Sequence, residues 1–210
     1  MSDSQHEVLW SKGLEALALN INESQLEKLK QYVDLLNRWN KTYNLTAVRE
    51  PAQMIPMHIF DSLVVAPHIE GENCLDVGSG AGLPGIPLAI LQPERNFTML
   101  DTNGKKTRFI QQAIIELGLK NADVVQSRVE QWQPPHQYQA IISRAFSSIA
   151  DFVNGCSALL AENGSLYAMK GQHPVQELAY LPKGYQLKST QALEVPYVEG
   201  ERHLLRITRK

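Results

Sequence analysis

The stretch Cys74-Leu75-Asp76-Val77-Gly78-Ser79-Gly80-Ala81-Gly82-Leu83-Pro84-Gly85 places four glycines within eight residues, directly after a short apolar run. Leu75, Asp76 and Val77 read as the end of a β-strand, and Leu83 to Leu91 as the helix that follows. The glycines therefore fill a strand-to-helix turn, the place where doubly wound sheets bind nucleotides. Glycine accepts positive φ and leaves open the approach to the backbone that a Cβ would close. A plain tight turn does not need glycines alternating at Gly78, Gly80 and Gly82.

Outward from this turn the texture is regular. Strands are predicted at Cys74 to Val77, Phe97 to Leu100, Asp123 to Gln126, Ala140 to Ser143 and Ser165 to Met169, with helical segments between them. That alternation implies an α/β fold on a mostly parallel sheet. The tail TQALEVPYVEGERHLLRITRK reads as two strands joined by a turn around Glu199 and Gly200, with no helix between; such a pair is antiparallel. Residues 5 to 70 read as helical. Within them Asn22 and Gln25 have the spacing of a capping box, ahead of Leu26, Leu29, Val33, Leu36 and Trp39 at helical intervals, and a second helical pattern runs from Ala52 to Ala66. The expected division is an N-terminal helical extension over 1–70 and an α/β domain over 71–210.

Composition narrows the class. The chain is 43% hydrophobic and 20% charged, as soluble globular proteins are, with a net charge of -2. That balance excludes broad, sequence-blind nucleic-acid binding but not a local basic patch. No apolar run approaches a membrane span, and the first ten residues lack the order of a signal peptide, so a cytoplasmic protein is expected. Cys74 and Cys156 fit no metal-ligand spacing and read as buried thiols.

Asp101, at the end of the second strand, suits the acidic residue that accepts both hydroxyls of a ribose. A nicotinamide dinucleotide and S-adenosylmethionine both offer that ribose. Asp76 favours the second, because an anion there is awkward beside a pyrophosphate and useful beside an ammonium and a sulfonium. Arg128, Arg144, Lys170 and Arg202 each stand beside a strand end or the final turn; together they suit phosphate and guanine. Asn44 could add an amide near the same mouth. His58 reads as a helix-packing histidine.

The segment DVGSGAGLPGIPLAI, with WNKTYNLT before it and QSRVE, SRAF, MKG and GERHLL after it, resembles the bacterial RsmG family, also called GidB. The resemblance covers nearly the whole chain. It implies a class I, Rossmann-like methyltransferase with a seven-stranded sheet and an antiparallel end. It further implies transfer from S-adenosylmethionine to N7 of one guanosine in small-subunit ribosomal RNA or the assembling 30S particle. A monomer is expected. By the same resemblance, cofactor contacts fall at Gly78, Leu83, Val129, Glu130 and Arg144. Arg144, Lys170 and Arg202 would position the reactants, with Asn44 and Arg128 joining Lys170 and Arg202 on RNA. No metal and no general base are expected. The rival readings are a methyltransferase for another RNA or a small molecule, and a non-catalytic nucleotide-binding module.

Overall fold

The computed structural model describes residues 3–144 and 146–210. Its seven strands are β1 (Asn73–Val77), β2 (Asn96–Asp101), β3 (Ala122–Gln126), β4 (Tyr138–Ser143), β5 (Leu160–Lys170), β6 (Tyr185–Ala192) and β7 (His203–Arg209). They form one sheet in the order β3-β2-β1-β4-β5-β7-β6. The first five are mutually parallel, and β7 runs antiparallel to both β5 and β6. Chain order reverses direction between β1 and β4, and ligand crevices form at such switch points.

Alternation along the strands gives the sheet two buried faces. On β1, Leu75 and Val77 join the core beneath the helix α7 (Ile149–Cys156), whereas Cys74 joins the core on the opposite face. Burial pushes both thiols, Cys74 and Cys156, above the ordinary cysteine pKa.

The opposite face is covered by α5 (Gly85–Leu91) and α6 (Gly104–Glu116), and over these lies the helical extension. The extension comprises α1 (Asp3–Ala16), α2 (Glu23–Tyr43), then α3 (Pro51–Met54), a π-helical turn (Ile55–Phe60) and α4 (Asp61–Leu63) in one continuous run. The predicted capping box is present: Asn22 Oδ1 accepts from Gln25 N–H at 2.9 Å, and Asn22 N–H donates to Gln25 Oε1 at 3.0 Å. The Gln25 amide also donates to the Leu91 carbonyl at 2.9 Å, tying the start of α2 to the end of α5. Trp10, Leu29, Tyr32 and Phe60 share one apolar cluster with Cys74, Phe97 and Tyr167 of the sheet. The helical layer thus completes the core of one sheet face rather than building its own.

Two boundaries differ from expectation. β5 begins at Leu160 because Tyr138 pairs with Leu160 while Ala140 pairs with Ser165, so the polar, turn-like residues 161–164 bulge inside the strand. β6 begins at Tyr185, ahead of the segment read as the first tail strand, and its outer face is largely exposed, as an edge strand permits. Among the described residues, no helix is long and apolar enough to cross a membrane.

Candidate active site

The carboxyl ends of β1, β2 and β3 surround a cavity of about 470 Å³, walled by Gly78, Asp101, Lys106, Arg128, Val129 and Glu130 among others. The glycine turn meets it at Gly78. Gly78 N–H donates to the Leu100 carbonyl at 2.8 Å, and Gly80 N–H donates to Asp101 Oδ2 at 2.8 Å, so the turn is laced to the end of β2. Tyr32 Oη, from the helical layer, donates to the Ala81 carbonyl at 2.6 Å and fixes the turn from behind.

The glycines divide their work. Gly78 has φ of +71°, and among the described residues a Cβ there would meet no atom within 4 Å, so the space above it is open to a ligand. A Cβ on Gly85 would come within 2.7 Å of Met99 Sδ; its absence lets α5 press onto β2.

Asp101 is 7% exposed; Oδ1 accepts from Asn103 N–H at 2.8 Å while Oδ2 holds Gly80. Two lone pairs remain for hydroxyls at the cavity wall. Asp76 stands elsewhere than expected. Its side chain is buried behind the turn, Oδ2 accepting from Gly85 N–H at 2.9 Å, and Oδ1 has no hydrogen-bond partner among the described residues. Burial pushes its pKa up to about 7, against a smaller lowering by the Gly85 N–H.

A second cavity, also about 470 Å³, lies at the same edge of the sheet, past the end of β4 and against the π-helical turn. Arg144, Lys170 and Arg202 line it with His58, Asp61 and His203. The Asp61 carboxylate accepts from Arg144 Nη1 at 3.3 Å through Oδ2, and from Arg202 Nε at 3.2 Å through Oδ1. Lys170 Nζ contacts both oxygens of Glu177 at 2.9 and 3.0 Å. The Met57 carbonyl can only accept, so His58 Nδ1 carries the proton at 3.0 Å from it, and Nε2 accepts from Thr46 Oγ1 at 2.9 Å. Burial and then the Arg144 charge lower the His58 pKa to about 4, which keeps the ring neutral near pH 7.

The sequence-derived residues thus separate into groups. Gly78, Asp101, Val129 and Glu130 meet at the first cavity, and Arg128 joins them there rather than the other basic residues. Arg144, Lys170 and Arg202 meet at the second. Leu83 is buried at 2% exposure below the turn and is on neither wall. Asn44 is on neither wall as well: it ends α2 with φ of +52°, its Oδ1 accepts from Arg49 at 2.8 Å, and Thr46, Ala47 and Val48 take the place expected of it. His58 packs as expected, yet also faces the cavity. Asp61 and Glu177 were missed. For Asp61 a signal existed, namely an acid inside the apolar run Ile59-Phe60-Asp61-Ser62-Leu63, since a buried carboxylate needs partners.

The profile of the GidB family, described as rRNA small subunit methyltransferase G, matches residues 25–205. The chain belongs to this family. It is 50% identical over 198 residues to the ribosomal RNA small subunit methyltransferase G of Psychromonas ingrahamii, covering 94% of this chain and 96% of that one. It is likewise 50% identical over 209 residues to the protein of that name from Pseudomonas syringae pv. tomato, covering 100% of this chain and 99% of the other. Among solved structures, TrmN from Thermus thermophilus superposes with a TM-score of 0.58 at 18% identity, over 83% of this chain and 53% of that one. M. jannaschii TYW2, solved in complex with AdoMet, gives 0.55 at 15% identity, over 71% and 77%. At those identities the likeness is one of fold, the class I Rossmann-like methyltransferase fold. As a GidB family member the chain is a methyltransferase.

Proposed function

We propose that this protein transfers the methyl group of S-adenosylmethionine to N7 of one guanosine in small-subunit ribosomal RNA, in the RNA itself or in an assembling 30S particle. One observation carries the reading. The cavity over Gly78 and the cavity holding Arg144, Lys170 and Arg202 open at one edge of the sheet, across the paired strands β1 and β4. The first has the volume of a small-molecule site, an open backbone at Gly78 and a carboxylate at Asp101, which suit a nucleoside cofactor. S-adenosylmethionine supplies there a methyl group made electrophilic by its sulfonium.

The protein's own task is placement. Guanine N7 carries an in-plane lone pair, so the methyl–sulfur bond breaks as the methyl–N7 bond forms and no proton leaves the base. The positive charge passes from sulfur to the purine. A general base is therefore unnecessary; His58 has both ring nitrogens engaged, Nδ1 by the Met57 carbonyl and Nε2 by Thr46 Oγ1. Arg144, Lys170 and Arg202 bring N–H donors for O6 and phosphate, and holding N7 in line with the methyl is a proximity effect. A stacked guanosine must first be exposed. Gly78, Val129, Glu130 and Asp101 are proposed for the cofactor, with Arg144 between cofactor and base. The proposed working form is a cytoplasmic monomer.

The test is to incubate the purified protein and labelled S-adenosylmethionine with unmodified small-subunit RNA, with 30S particles and with a short unstructured oligonucleotide. Mapping of modified nucleosides should find one 7-methylguanosine in the RNA or the particles and little in the oligonucleotide. Labelling of a small molecule or another RNA instead, or cofactor binding without turnover, would overturn the assignment.

A further inference from the structure

We propose that Asp61 is a positioning residue for methyl transfer: by holding Arg144 and Arg202 on its two oxygens, it sets the spacing and orientation of the guanidiniums that receive the guanosine. The inference rests on the function proposed above. Arg144 follows β4 and Arg202 precedes β7, so neither strand pairing nor sequence proximity aligns one with the other. Asp61 comes from a third element. Its backbone N–H reaches back to the Pro56 carbonyl in the wider π-helical pattern, and the same turn brings His58 to the cavity wall. Such turns re-aim side chains that a regular helix would direct elsewhere.

The geometry suits a clamp. Asp61 is 7% exposed, and each oxygen takes a different arginine at 3.2–3.3 Å. Hydrogen bonds between ionised partners are the stronger kind and fix direction as well as distance. Each guanidinium contributes a single nitrogen to Asp61, Nη1 from Arg144 and Nε from Arg202; Nη1 of each also donates to a backbone carbonyl, Met57 at 3.5 Å and Glu201 at 2.8 Å, and among the described residues Nη2 of both is left for a substrate. The carboxylate also offsets one of the two positive charges. Without it the arginines repel each other, and a purine acquiring positive charge at N7 would do so against two uncompensated cations.

Asp61→Asn keeps the size and removes the charge; Asp61→Glu keeps the charge and displaces it. Single-turnover methyl transfer to 30S particles would be measured for both, together with Arg144→Ala, Arg202→Ala and the double variant Asp61→Asn/Arg202→Ala. Asp61→Asn should lower the rate at saturating particle about ten-fold or more, with a thermal midpoint within about 4 °C of the parent. Asp61→Glu should regain part of that loss. In the Asp61→Asn background, Arg202→Ala should cost less than about three-fold further, because both changes undo one arrangement. Wild-type transfer by Asp61→Asn, beside defective arginine variants, would overturn the positioning role and leave the proposed function standing. So would a defect that multiplies independently with Arg202→Ala. Wild-type transfer by both arginine variants would instead overturn the proposed use of this cavity. Should Asp61→Asn fail to fold, Asp61→Glu decides through the same comparison: wild-type rate and full additivity with Arg202→Ala refute the clamp.

Discussion

Lys170 at the end of β5 and Glu177 in the short helix α8 (Val175–Leu178) form a bidentate pair, Nζ lying 2.9 and 3.0 Å from the two carboxylate oxygens. Glu177 Oε2 also accepts from Ile149 N–H at 2.8 Å, so this carboxylate links β5 to the start of α7 as well. A lysine so engaged is partly neutralised before RNA arrives. Glu177→Gln retains an acceptor for Ile149 and releases the Lys170 charge. The expected result is a salt dependence of RNA affinity steeper by about one in slope, with under about 1 kcal/mol of stability lost, since the pair is partly exposed. Filter binding across a salt series and a denaturant titration measure the two. An unchanged slope would mean that Lys170 does not meet phosphate.

Gly78 sets the next expectation. At φ of +71° any Cβ carries backbone strain of about 1–2 kcal/mol, yet among the described residues no atom beyond its chain neighbours lies within 4 Å of it. Gly78→Val should therefore fold with reduced stability and bind S-adenosylmethionine weakly, because its side chain fills the space above the turn. Calorimetry on the folded variant checks this. Equal affinity would place the cofactor away from the turn.

How much of this was readable in advance differs by residue. The glycine turn, the parallel strands and the capping box at Asn22 and Gln25 are local patterns, and they appear where spacing placed them. Side-chain destination is less local. Asp76, one residue before the end of β1, and Asp101, the last of β2, both stand beside the glycines, yet one turns behind the loop to Gly85 and the other to the cavity wall. Arg128 and Arg144 both follow strand ends, but the topological reversal between β1 and β4 sends them to different cavities. The Asp61 clamp joins three distant segments through a π-helical turn, for which periodicity carries no signal. The bulge at 161–164 depends on how β4 and β5 align rather than on the polarity of those residues.

The buried His58 predicts a pH effect. Its folded pKa, lowered to about 4 by burial and by Arg144, stands below the ordinary value of 6.5. Between those values the unfolded chain binds a proton that the folded chain refuses. The associated stability is complete above about pH 6.5 and is lost as pH falls toward 4, by on the order of 2–3 kcal/mol. Asp76, raised to about 7, acts with the opposite sign: its contribution is complete below the unfolded value and lost as pH rises through 7. Comparing the parent with His58→Gln from pH 4 to 8 isolates the histidine. The difference in unfolding free energy between them should shrink toward acid pH, and a constant difference would remove the proposed desolvation cost.

Arg128 provides the sharpest test of how the basic residues divide. It shares the first cavity with Glu130, Asp101 and Lys106, whereas Lys170 and Arg202 line the second. If occupancy of the two cavities is separate, Arg128→Ala should weaken S-adenosylmethionine binding and leave the salt slope of RNA binding unchanged. Arg202→Ala should do the reverse, lowering that slope by about one while sparing cofactor affinity. With RNA and cofactor both subsaturating, transfer would fall in both, so activity under those conditions alone does not discriminate. Saturating cofactor should restore the rate of the Arg128 variant, and saturating RNA should not. A fall in RNA salt slope for Arg128→Ala, with normal cofactor affinity, would return Arg128 to the RNA-binding group and extend the RNA path across the mouth of the first cavity.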